Sequence, residues 1–461
     1  VNRYFLVPAL ALVGGALGCN ATDNGTIQII TDEEAGTFTE SPAPTEIQVV
    51  AVQSADASTT LATAQLPTST IDLGKLSESA PVVSLNISGY DATNTRRVFG
   101  ASLPVQYAAL AGQTVPIFVQ RDGELARLPG PLSDSRPSPL LSVLQSEYLL
   151  IAGGGDPSVA STTQLFDFGT FGTYEAPPTL PVVPQSIAME GTLAWLINAS
   201  GSSYFDLSDS DYESIPVPPN GSFADVAGGA TVIDENGANY VVGGTRTGGL
   251  PSNKVLKIDP NDTSNTNYPY ANATWLTLST SRIGAAATWV TGRGLVVVGG
   301  NIDPAAAGIE IVAPNTTTGS PLPYPSDPTY GAGASALDGQ HVLVAGGLSA
   351  SGEDPGVRWF DLACTPSPAG ADASAGNACI TTWAALPVVL ETAQTFTWTA
   401  TDGLVIGNEF VSGKTHAFRL NATSATEVPT RIPHTRASAT WSPVGTIVLF
   451  GGANMIESFT P

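Results

Sequence analysis

Short apolar runs that end in Gly-Gly, or in a degraded version of it, recur along the chain. They are LLIAGG (149–154), TLAWLIN (192–198), YVVGG (240–244), LVVVGG (295–300), VLVAGG (342–347), GLVIGN (403–408) and IVLFGG (447–452). Measured at Gly153, Asn198, Gly243, Gly299, Gly346, Gly407 and Gly451, the intervals are 45, 45, 56, 47, 61 and 44 residues. A run of four to six apolar residues bounded by turn residues predicts a strand buried on both faces. After each comes a second run with an aromatic or aliphatic residue and often Asp: QLFDF, YFDL, VLKIDP, IEIVAP, RWFDL, HAFRL and IESFTP. Several units then add a Trp or Leu run and an arginine, as in ATWLTLSTSR (Arg282) and TEVPTRIPHTR (Arg436), while TTWAALPVVL keeps the Trp alone. A strand-rich period near 45 predicts a β-propeller, because each small sheet can bury its faces only against its neighbours.

Upstream the pattern changes to short alternating runs, IQVVAV, PVVSLNISGY, RRVFGAS and TVPIFVQ, between Ser/Thr/Gly/Pro clusters. That spacing predicts a small immunoglobulin-like β-sandwich over 46–121, with the propeller over 122–461. Residues 20–45 are polar and acidic and read as a flexible tether. Ahead of them an apolar run from Tyr4 to Leu17 follows Arg3 and precedes Cys19. This is a secretory pattern, too short to span a bilayer.

The final unit supplies second and third strands but no fourth, whereas GELARLPGPLSDSR (123–136) carries a fourth strand and its arginine without an apolar Gly-Gly run of its own. Arg136 precedes Gly153 by 17 residues, as Arg282 precedes Gly299. The segment Glu124 to Leu128 is therefore expected to complete the last sheet and remove its open edge.

The order Gly-Gly strand, Tyr/Phe-Asp strand, Trp strand, Arg resembles the kelch repeat over about three quarters of the chain. The resemblance implies a seven-bladed ring closed by both ends of the domain, in the galactose-oxidase-like group of enzymes and binding modules. GALGC is similar to a bacterial lipoprotein signal with Cys19 as the lipidated residue. That resemblance implies export to the bacterial cell envelope, an outer-membrane or surface location, and membrane contact only through the lipid anchor.

Composition agrees with an all-β chain: 461 residues, 42% hydrophobic, 12% charged, 48 Gly and 36 Pro. The formal charge of −23 argues against nucleic acid as a partner and favours a soluble monomer. In an exported chain the two remaining cysteines, Cys364 and Cys379, are expected to pair, closing a loop worth about 3 kcal/mol.

Candidate chemistry is sparse. A copper radical site would need clustered His and Tyr ligands, but His341, His416 and His434 fall at a second strand, a third strand and a lead-in segment of different units. Arg136, Arg282 and Arg436 could imitate a sialidase triad, yet each holds the repeat's lead-in position, where the kelch resemblance implies a structural role. Asp206, Asp209, Asp211, Glu213 and Asp262 offer calcium ligands without a dedicated loop, so a solvated acidic turn is the simpler reading. No catalytic residue, metal or cofactor is assigned. Loops after the second strands share one face, which kelch modules commonly use for recognition. Its polar candidates are Asp156, Arg246, Asp303, Glu353, Asp354, Glu409 and Lys414, for a protein or glycan ligand. The alternative is a carbohydrate-active enzyme with paired carboxylates at the mouth of the ring.

Overall fold

The computed structural model describes residues 24–54, 57–75, 82–155, 160–175, 180–190, 193–208, 211–246, 249–262, 273–300, 308–349, 352, 356–364 and 379–461. Cys19 and the signal segment lie outside these residues, as do Asp156, Asp209, Asp303, Glu353 and Asp354.

The chain is all-β with a propeller-like architecture of four-stranded antiparallel sheets. In chain order these are sheet A (Leu140–Leu144, Tyr148–Ala152, Thr163–Asp167, Gly172–Glu175) and sheet B (Ser186–Glu190, Leu193–Asn198, Gly201–Asp206, Asp211–Ile215). Sheet C follows (Ala230–Ile233, Asn239–Val242, Leu250–Ile258, Ala273–Arg282), with Thr245–Arg246 added against Leu250–Ile258. Sheet D is Ala286–Val290, Gly294–Val298, Glu310–Val312 and Ser320–Pro321, and sheet E is Gly333–Ala336, His341–Ala345, Val357–Asp361 and Ile380–Thr382. Sheet F is Leu390–Thr399, Asp402–Glu409, Thr415–Asn421 and Ser424–Glu427. Sheet G combines Ser438–Trp441, Ile447–Phe450 and Glu457–Phe459 with the distant Leu125–Arg127.

Every glycine-terminated run is the second strand of its sheet, and residues such as Leu150, Trp195, Val241, Val297, Leu343, Val405 and Leu449 are wholly buried. Each second strand packs on both faces, which is why it reads as a continuous apolar run rather than an alternation. Successive sheets share one hydrophobic cluster per interface, for example Leu165 and Leu196 between A and B, and Ile406 and Leu449 between F and G. The last cluster joins G to A through Val448, Phe450, Leu149 and Phe166.

The second glycine of the pair has a steric cause. A Cβ at Gly300 would lie 2.6 Å from the Ala285 Cβ, and one at Gly452 would lie 2.4 Å from the Thr435 backbone, both at positive φ. The turn after the second strand presses on the segment leading into its own sheet, and only glycine leaves room.

Leu125 pairs with Phe459 and Arg127 with Glu457, antiparallel. The contact continues through Gly123 N–H to Thr460 O (2.8 Å) and Leu128 N–H to Ile456 O (2.9 Å). The N-terminal segment thus covers the edge that the C-terminal strand would expose.

The N-terminal region forms two sheets. One is Thr70–Lys75, Asn24–Ile30, Thr114–Phe118; the other runs Ala57–Gln65, Glu46–Ser54, Val82–Tyr90, Arg96–Ala101, Gln120–Arg121. Ile27, Ile47, Val49, Leu85, Ile87 and Ile117 form the core between them. The tether expected over 20–45 is corrected here: from Asn24 the chain is a central strand, because the alternation in NGTIQII buries Ile27 and Ile29. Beyond it Glu34 is buried and accepts from the backbone and guanidinium of Arg127, both at 3.0 Å. Among the described residues, no helix is long and apolar enough to cross a membrane.

Candidate functional site

Three lead-in segments share one buried latch. Arg136 and Arg282 are fully buried. Arg136 donates to Gly153 O at 3.1 Å, and Arg282 to Gly299 O, each 17 residues ahead. In sheet G the same place is held by His434, whose Nδ1 lies 2.9 Å from Gly451 O, again 17 residues ahead. A third-strand residue completes each latch by binding the residues two and three before the arginine or histidine. Glu310 accepts the N–H groups of Ser279 and Thr280 (2.6 and 3.1 Å), and Glu457 those of Arg431 and Ile432 (3.1 and 2.8 Å). Gln164 donates to Ser133 and Asp134 in sheet A. Glu310 is nearly fully buried; burial pushes its carboxyl up, but bonds from Thr280, Arg282 and Ser279 outweigh that and hold it below the usual range.

Sheet E reverses the charges, with Asp327 in the lead-in and Arg358 on the third strand, 2.7 Å apart. The structural role expected of Arg436 is therefore corrected. Arg436 is half exposed, sits at φ 51° and reaches only Glu391 at 3.4 Å. It lies two residues past the latch position that His434 fills.

The latch of sheet A holds the turn at Gly153. A cavity of about 430 Å³ opens there, lined by Ser138, Leu140, Gly154, Gln185, Gln394 and Asn408 among others. These residues come from sheets A, B and F, and Ser438 adds sheet G. None of the described lining residues is charged. Gln394 exchanges both amide bonds with the Ala439 backbone (2.8 and 2.6 Å), and Asn408 binds Thr392, Ala437 O and Thr415. These two amides tie F to G. Among the described lining residues, Ser138, the Gln185 amide nitrogen and the Gly154 backbone remain for a bound group, and they offer neutral hydrogen bonding.

At one end of the sheets, the connections after second strands and after fourth strands carry exposed apolar side chains: Val183, Leu250, Tyr330, Phe410 and Val411. Val411 is 90% exposed at φ 84°, a conformation that costs a β-branched residue free energy for no packing gain. Sequence reasoning selected charged positions on this face and missed the apolar ones. Of the selected residues, Arg246 lies in the strand Thr245–Arg246. Glu409 ends a strand and accepts from the Ser412 hydroxyl, and Lys414 is exposed in the same hairpin. The structure does not bring Glu409 or Lys414 among the residues lining the cavity.

Cys364 and Cys379 form a disulfide with Cα atoms 5.4 Å apart, at the connection between the third and fourth strands of sheet E. Asp206 is consumed within its turn by the Ser208 N–H and hydroxyl, at 2.8 and 2.6 Å. Among the described residues, no group of three His, Cys, Asp or Glu side chains is arranged to hold a metal ion.

No protein-family model matches the chain, and no curated protein does. Among solved structures it is similar to a chain of a structure titled "Crystal Structure of Mitotic Checkpoint Complex", at 11% identity and a TM-score of 0.47, covering 74% of this chain and 95% of that one.

Proposed function

We propose that this protein is an exported, non-enzymatic binding module. It is tethered to the bacterial envelope through lipid on Cys19 and built from a small N-terminal β-sandwich and a seven-bladed kelch-type propeller. The mouth of the ring takes a protein or glycan ligand, and the chain acts as a monomer without nucleic acid. The observations that carry this reading are the neutral cavity and the exposed apolar side chains Val183, Leu250, Tyr330, Phe410 and Val411 on the connections between strands. Exposed apolar groups around a hydrogen-bonding depression are the make-up of an interaction site. No described lining residue supplies the carboxylate pair that glycoside hydrolysis needs.

The test is a glycan array and an envelope-protein pull-down with the wild-type chain, repeated with Phe410→Ser/Val411→Asp. A ligand retained by the wild type and lost by the variant is expected. A ligand bound equally by both would remove the mouth from consideration. Anchoring is tested separately: Cys19→Ser should move the protein from the membrane to the soluble fraction, and unchanged fractionation would overturn the lipid anchor.

A further inference from the structure

The hairpin of sheet F contains a group that the binding reading does not use. His416, opposite Gly407 in the ladder, is nine-tenths buried. Its Nδ1 lies 2.8 Å from Oε1 of Glu427, on the neighbouring strand. A carboxylate at that distance accepts from Nδ1–H, and in the tautomer that carries its proton there the ring presents a lone pair at Nε2. Nε2 has no hydrogen-bond partner and is sealed from solvent. The nearest carboxylate oxygen, Oε2 of Glu409, stands 3.9 Å away on a side chain that is one-third exposed. The ring is further fixed by stacking on Phe418, centroids 5.8 Å apart and planes 9° from parallel.

We propose that His416 and Glu409 form a two-ligand site for a first-row transition-metal dication of the zinc type, with Glu427 orienting the imidazole. Metal–nitrogen and metal–oxygen distances of about 2.1 Å place one ion between atoms 3.9 Å apart, at a ligand–metal–ligand angle of roughly 140°. A small swing of the Glu409 carboxylate, away from Ser412, narrows that angle toward tetrahedral and admits water to the remaining positions. A histidine whose far nitrogen is held by a carboxylate is the arrangement that raises imidazole basicity toward zinc. Imidazole as the fixed ligand selects against calcium and magnesium. The formal charge of −23 concentrates cations at the surface. Lys414 is the opposing charge, being exposed in the same hairpin with its carbonyl accepting from the Glu409 N–H at 2.8 Å.

The experiment is calorimetric titration of the full chain with Zn²⁺ alone, repeated with Ca²⁺. One saturable zinc site and no calcium heat are expected. His416→Ala and Glu409→Gln should each weaken zinc by at least tenfold, Glu427→Gln by roughly 10–100-fold, and Lys414→Gln should strengthen it. His341→Ala, at the distant Asp338 pair, should leave it unchanged. Circular dichroism of each variant separates loss of metal from loss of fold, and Glu409→Gln, at a partly exposed position, keeps the test open should His416→Ala unfold. Absence of saturable zinc binding by the wild type, or zinc affinity unchanged in Glu409→Gln and Glu427→Gln, overturns the site.

Discussion

Replacing His434 should cost far more stability than replacing Arg436, although Arg436 is the residue that the repeat pattern marks. The His434 side chain is fully buried, with Nδ1 on Gly451 O at 2.9 Å and Nε2 3.3 Å from Glu457, itself fully buried. His434→Ala removes the bond to the glycine carbonyl, about 1 kcal/mol, and leaves that acceptor only the long contact from the Thr435 N–H at 3.4 Å. It also empties the imidazole volume, so a loss of about 2–4 kcal/mol is expected. Arg436 is half exposed with one ion pair at 3.4 Å, so Arg436→Ala should cost no more than about 1 kcal/mol. Arg436→Gly, at φ 51°, should be neutral or slightly stabilising. Arg282→Met supplies the scale: it strips a buried ion pair from Glu310 at 2.7 Å and should cost about 3–5 kcal/mol. Denaturant unfolding followed by tryptophan fluorescence measures all four variants. Equal losses for His434→Ala and Arg436→Ala would refute the latch assignment.

The depressed pKa of Glu310 makes its contribution fully present above the ordinary carboxylate range and lost as pH falls through its lower folded value; urea midpoints should therefore drop on acidification in the wild type more than in Glu310→Gln. A chain beginning at Pro131 should unfold at lower denaturant than one beginning at Val115 and self-associate through the uncovered Glu457–Phe459 edge; equal midpoints and a monomeric short chain would discount the closure pairing. Reducing Cys364–Cys379 should cost up to about 3 kcal/mol, read as earlier hydrogen exchange in Val357–Asp361 and Ile380–Thr382. Val411→Gly should raise stability by about 1 kcal/mol while weakening ligand capture, since it relieves the φ of 84° and deletes the most exposed apolar group of the rim.

The sequence by itself determined the sheets. A second strand packed on both faces needs an unbroken apolar run, and the turn after it needs glycine, so composition and period carry the signal locally. The closing strand at Leu125–Arg127 was legible for the same reason, as a unit missing at one end and surplus at the other. The 17-residue spacing also pointed to His434, since Gly451 minus 17 is His434, but an arginine two positions away matched the residue type better. Only the tertiary structure decided between them, because burial and the glycine carbonyl select a position rather than a residue type. It alone placed the stretch Asn24–Ile30 as a core strand instead of a tether, with Ile27 and Ile29 buried on either side of Gln28. The rim could not be read at all: Val183, Leu250, Tyr330, Phe410 and Val411 are ordinary apolar residues in sequence, scattered over four sheets. They become a surface only because the fold brings loops from distant parts of the chain to one end and leaves those side chains partly or largely exposed there.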